Sequence, residues 1–96
     1  MDTPIFQIRE TSTSSPPREF YRGDVNAFEA FCLEIEAPLF SYLLRLVQDR
    51  CEAEDLTQET LLRLFRLVRD GQVRRREGKP RSLAFTIAHN LAMDHY

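Results

Sequence analysis

No stretch of this 96-residue chain approaches the roughly 20 consecutive apolar positions that a membrane-spanning helix requires. The first ten residues lack a basic start followed by an apolar run, so they do not read as a secretory signal. There are only two cysteines, Cys32 and Cys51, and no CxxC pair, which points to reduced cysteines packed in a cytoplasmic protein. The sequence has no glycine-rich phosphate loop, no Ser/His/Asp constellation and no reactive dicysteine, and nothing in it suggests catalysis. A metal site is not expected either: His89, Asp94 and His95 do not have the i,i+4 spacing that places two ligands on one helix face. No cofactor is implied. Internal repeats are absent and strand signals nearly so.

What the chain does have is segregated charge. Its formal net charge of −2 conceals an acidic block, Glu52, Glu54, Asp55 and Glu59, followed by a basic one from Arg63 to Arg81. Local sign, rather than the net value, steers a charged partner. The hydrophobic fraction of 43% is that of a globular domain.

Residues 1–22 read as a flexible leader, because Thr11 to Pro17 is polar and closed by prolines. Helical periodicity starts after Gly23, with Asp24 or Asn26 as the cap and Glu29 placed to complete a capping box on Asn26. Phe28, Phe31, Ile35, Leu39, Leu43 and Val47 then recur at helical steps, and Pro38 is expected to kink or briefly break the helix. A second helix is predicted from about Glu52 to Asp70, ended by Gly71. Residues 71–80 read as a loop, and Ser82 as the opening of a third helix over Leu83–Tyr96. The expected fold is all-α, a compact bundle of three to four helices.

At about 100° per residue the second helix divides into two arcs. Ala53, Leu56, Thr57, Thr60, Leu61, Leu64, Leu67 and Val68 share one, and Asp55, Gln58, Glu59, Arg63, Arg66 and Arg69 the other. Leu62 falls among the polar residues. An apolar anchor inside a polar rim is the anatomy of a protein-binding patch, although single exposed leucines are also common. Carboxylates beside it would pair with a partner's arginines.

Arg74, Arg75, Arg76, Lys79 and Arg81 can bring several cations to a phosphate backbone, which supplies affinity but no sequence choice. Thr86, His89 and Asn90 on the last helix offer groups that can bond to or stack on bases. A solvated charged loop and an ordinary interhelical hydrogen bond are the plainer readings of these features.

Three blocks carry a family likeness. Tyr42-Leu43-Leu44-Arg45-Leu46, then Ala53-Glu54-Asp55-Leu56-Thr57-Gln58-Glu59-Thr60, then Phe85-Thr86-Ile87-Ala88-His89-Asn90-Leu91-Ala92-Met93-Asp94-His95 resemble region 2 of the extracytoplasmic-function sigma factors. They occur in that family's order, and the likeness spans roughly residues 24–96. The resemblance implies that Asp55, Gln58, Glu59, Leu62 and Arg66 face the β′ clamp coiled coil of RNA polymerase core. It implies that the loop of residues 71–81 captures a flipped base of the promoter −10 element. The last helix would melt and read that element on the non-template strand, with Asn90 the leading contact. His89 stands where an arginine is common, Leu83 where a tryptophan is, and Pro80 where an apolar residue such as Phe is. An anti-sigma protein is a further implied partner. The family's −35-binding helix-turn-helix domain is absent from these 96 residues, which favours a fragment of a longer protein.

The sequence thus reads as a non-enzymatic transcription-initiation domain at residues 23–96, acting in the cytoplasm without membrane insertion. Two alternatives stay open: a helical interaction domain that has lost DNA binding, and an unrelated helical binder of duplex DNA.

Overall fold

The computed structural model describes residues 16–73 and 79–95. They form four helices: α1 (Arg18–Tyr21), α2 (Val25–Val47), α3 (Arg50–Arg69) and α4 (Pro80–His95). The described residues contain no strand, and the all-α expectation holds.

Packing begins earlier than the expected boundary at residue 22. Phe20 is 0% exposed. Its ring lies 4.9 Å from that of Phe31 and 5.7 Å from that of Phe28. Residues 16–22 are therefore no leader; proline-rich polar neighbours masked a single aromatic anchor. The earlier leader residues, 1–15, lie outside those described. The turn after α1 explains Gly23. Its φ is 84°, a left-handed conformation that costs a side-chain-bearing residue. The turn closes with Gly23 N–H donating to the Phe20 carbonyl and Asp24 N–H to that of Glu19, both at 3.1 Å.

Asp24, not Asn26, caps α2: its carboxylate accepts from the Ala27 amide at 2.9 Å. A capping box of Asn26 with Glu29 is consequently not formed. α2 runs unbroken through Pro38, so the expected break does not occur. Proline withdraws its own amide donor and crowds the carbonyl four residues back, but Leu39 and Leu43, both 0% exposed, hold the flanking turns in the core. Gln48 takes the left-handed conformation at φ 55° to end α2. Asp49 then accepts from Glu52 N–H at 3.0 Å, so α3 starts at Arg50, two residues before expected.

α3 buries the arc its periodicity marked, apart from Leu67, which is half-buried, as is Phe65 beside the arc. Thr57 and Thr60 reach the interior without cost in unpaired groups. Each hydroxyl donates to the carbonyl four residues back, at 2.7 Å. At the helix end Gly71, φ 76°, permits Gln72 N–H to reach the Leu67 carbonyl and Gly71 N–H that of Val68.

α4 starts at Pro80 rather than after Ser82. Proline at the first helical position forfeits no intrahelical bond and presets φ, and Leu83 N–H closes the turn on the Lys79 carbonyl at 3.1 Å. Its buried stripe is Ala84, Ala88 and Ala92. These small side chains let α4 lie close against the α2–α3 hairpin, while Leu83, Phe85, Ile87 and Leu91 pack half-buried on its shoulders.

Candidate functional site

The antiparallel run of α2 and α3 leaves a groove between them. From α3 it is lined by Asp55, Gln58, Glu59 and Leu62. From α2 it receives Glu29, Cys32 and Glu36, with Val25 at one end. The sequence reading had found only the α3 half. Glu29 and Glu36 double the carboxylate number, and they were missed because joining them to Asp55 requires knowing how α2 and α3 pair. Leu62 is 44% exposed and Val25 56%. Apolar side chains therefore rim a set of four acids, an arrangement suited to a partner that brings both apolar anchors and cations.

The four acids are not bonded to each other. Glu59 accepts from Arg63 Nε at 2.9 Å, one turn along α3, and both side chains remain partly exposed. Cys32, half-buried between Glu29 and Glu36, has its thiol pushed up to about 11, first by burial and then by the negative charge of Glu36 and Glu29. At neutral pH it stays protonated, which keeps it a poor nucleophile. Cys51 is exposed, contrary to the expectation that both cysteines pack, and both are free thiols.

Arg66 parts from the set with which the sequence grouped it. It lines the opposite flank of α3, in a groove shared with Asn90 of α4 and bordered by Ile87, Leu91, Asp70 and Asp94. The wheel ordered α3's residues by angle but could not say which neighbouring helix each would face.

The proposed DNA residues of α4 fall on an exposed ridge. Thr86, His89 and Asn90 are exposed, as is Lys79 before the helix. The Thr86 hydroxyl donates to the Ser82 carbonyl at 3.1 Å. Arg81, Phe85 and His89 recur at four-residue steps, and Tyr42 of α2 ties that row to the bundle. Its hydroxyl lies 2.9 Å from His89 Nδ1, and its ring meets Phe85 edge-on at 5.4 Å. The Arg81 guanidinium sits 5.7 Å from the Phe85 ring centre. His89 thus keeps Nε2 for a ligand, with its ring held by Tyr42. Tyr42 stands in the sequence only as the first residue of the block Tyr42-Leu43-Leu44-Arg45-Leu46, and its pairing with His89 comes from the packing of α2 against α4. Arg74, Arg75 and Arg76 lie outside the described residues.

Among the described residues no cluster of histidine, cysteine or carboxylate side chains could hold a metal ion. Among the same residues no helix is long and apolar enough to cross a membrane.

The fold and these surfaces define a small helical module with two chemically opposed faces, one an acidic groove and the other a polar, partly cationic ridge. Residues 34–96 match the family Sigma-70 region 2, and the chain belongs to it. That family serves transcription initiation as part of sigma factors and is not an enzyme family. It implies contact with RNA polymerase core and promoter DNA. No curated protein and no solved structure gives a significant match.

Proposed function

We propose that the chain is the region 2 domain of an extracytoplasmic-function type sigma factor. It docks on polymerase through the α2–α3 groove and engages the opened −10 element through residues 71–81 and α4. The carrying observation is the groove itself, where Asp55, Glu59, Glu29 and Glu36 are rimmed by the exposed apolar side chains Leu62 and Val25. A coiled coil from the β′ clamp that presents arginines beside apolar side chains is its natural complement. On the other face, Asn90 and the His89 edge stand ready for unstacked bases, and Lys79 and Arg81, with Arg74–Arg76, supply backbone charge. Polymerase performs the chemistry, in the cytoplasm; an anti-sigma protein would compete for these same faces.

The decisive test is binding of the chain to a β′ clamp coiled-coil fragment, wild type against Asp55→Arg/Gln58→Ala/Glu59→Arg. All three positions are polar and solvent-accessible, so helicity should not change. Binding lost by the variant supports the reading, whereas no binding by folded wild type overturns it. For the second face, Asn90→Ala should weaken single-stranded −10 binding in a sequence-dependent manner. Arg74→Ala/Arg75→Ala/Arg76→Ala should weaken it for all sequences and flatten its salt dependence. Tighter binding to duplex than to single-stranded −10 DNA would contradict this half.

A further inference from the structure

α2 carries apolar residues round more of its circumference than the bundle uses. Phe28, Phe31, Ile35, Leu39, Leu43 and Val47 enter the core. A second stripe, Ala30, Leu33, Ala37, Phe40 and Leu44, follows alternating three- and four-residue steps, with Phe40 and Leu44 leaning on the core and Ala30, Leu33 and Ala37 outside it. Ala30, Leu33 and Ala37 are exposed, Leu33 by 78%, and Phe40 and Leu44 are half-buried. Alternation of three and four over two heptads is the seam of a two-helix coiled coil, which a single stray leucine would not produce.

The positions flanking a seam choose its partner. Here they are Glu29, Glu34, Glu36 and Ser41. Three of the four are carboxylates, so a second copy of α2 would set like charges together in either orientation, parallel or antiparallel. The cation beside Phe40, Arg50, already lies over that ring at 5.6 Å and against Glu54 at 3.7 Å. Leu33 and Ala30 also precede the residues matched by the family, which start at 34.

We infer that the outer face of α2 receives an amphipathic helix of a partner protein, with apolar residues in heptad register and lysines or arginines on its flanks. This site is centred apart from the groove proposed for polymerase, although its flanking Glu29 and Glu36 also line that groove. It stands whether or not that proposal does.

The probe is a designed helical peptide of about 21 residues, with leucine at the seam positions and lysine at the flanks. Lysine repulsion keeps it from pairing with itself. A matched peptide carries glutamate at the flanks instead. Fluorescence anisotropy against the full chain should show saturable binding of the lysine peptide only. Leu33→Glu, at an exposed position, should weaken it about tenfold or more, because a buried carboxylate replaces an anchor. That variant is more acidic, so a purely electrostatic association would be kept or strengthened by it, and such a result overturns the inference. Asp55→Arg/Gln58→Ala/Glu59→Arg should leave peptide binding in place; loss there, with Leu33→Glu unaffected, would put the peptide in the polymerase groove and overturn it too. Sedimentation supplies the last arm: a chain that is monomeric before peptide addition is expected, and a dimer dispersed by Leu33→Glu would assign the face to a second copy.

Discussion

α3 and α4 pack on the same partner, α2, yet they are held there by opposite means. α3 inserts large side chains, Leu56, Leu61, Leu64 and Val68, and keeps its charged residues out of the core. α4 inserts Pro80 and three alanines, Ala84, Ala88 and Ala92, and its larger side chains stay on the shoulders. The first arrangement draws stability from apolar area removed from water, the second from close backbone approach. The difference also sorts function. On the proposed reading, α3 presents Asp55, Gln58, Glu59 and Leu62 together from a helix anchored in the core. α4, with little of its polar equipment committed to the core, leaves Thr86, His89 and Asn90 accessible.

The comparison is tested most severely at Leu64, which is 0% exposed. Leu64→Ala should cost about 2–5 kcal/mol in urea unfolding, a large share of the stability of a domain this size. A loss below about 1 kcal/mol would show that α3 is not the principal anchor. For α4 the informative change runs the other way. Ala88→Leu adds volume where the structure leaves none and should cost about 1–3 kcal/mol. If it is neutral or stabilising, α4 lies further from its neighbours than its alanine stripe requires, and the contrast between the helices fails.

That contrast also explains what could be read in advance. α3 was legible because large apolar and charged residues alternate at helical period, so both its core arc and the exposure of Leu62 followed from a wheel. α4 was misplaced by three residues at its start, since proline reads as a breaker unless the helix boundary is already known. Its alanine stripe gives little contrast against Leu83, Phe85, Ile87 and Leu91. α1 escaped notice because one phenylalanine carries it. In the site, Tyr42 and His89 are 47 residues apart, and Glu29 meets Asp55 across a groove. Such pairings are properties of helix packing, which a one-dimensional pattern does not contain.

The hairpin between α2 and α3 offers a smaller and cleaner check. Asp49 caps α3 through the Glu52 amide, and the cap fixes where α3 begins relative to α2. Asp49→Ala should cost about 1 kcal/mol, or roughly 4–8 °C in Tm, and Asp49→Asn should restore most of it. Equal losses for both would mean that charge at the helix end, rather than the hydrogen bond, does the capping.

The smallest effect is expected at Arg63, and it bears most directly on function. Its contact with Glu59 is 2.9 Å long, yet both groups remain partly in solvent. Such pairs contribute about 0.2–0.5 kcal/mol, because the Coulomb gain is screened and two flexible side chains must be held. Arg63→Ala should therefore leave the unfolding free energy within about 0.5 kcal/mol of wild type. A loss well above that would give Glu59 a structural duty and weaken the case that the groove's carboxylates await a partner. With stability unchanged, the variant frees a Glu59 carboxylate oxygen for an incoming arginine. Binding to the β′ clamp fragment should then be kept or modestly tightened, and a large loss would show that Arg63, rather than Glu59, makes the contact.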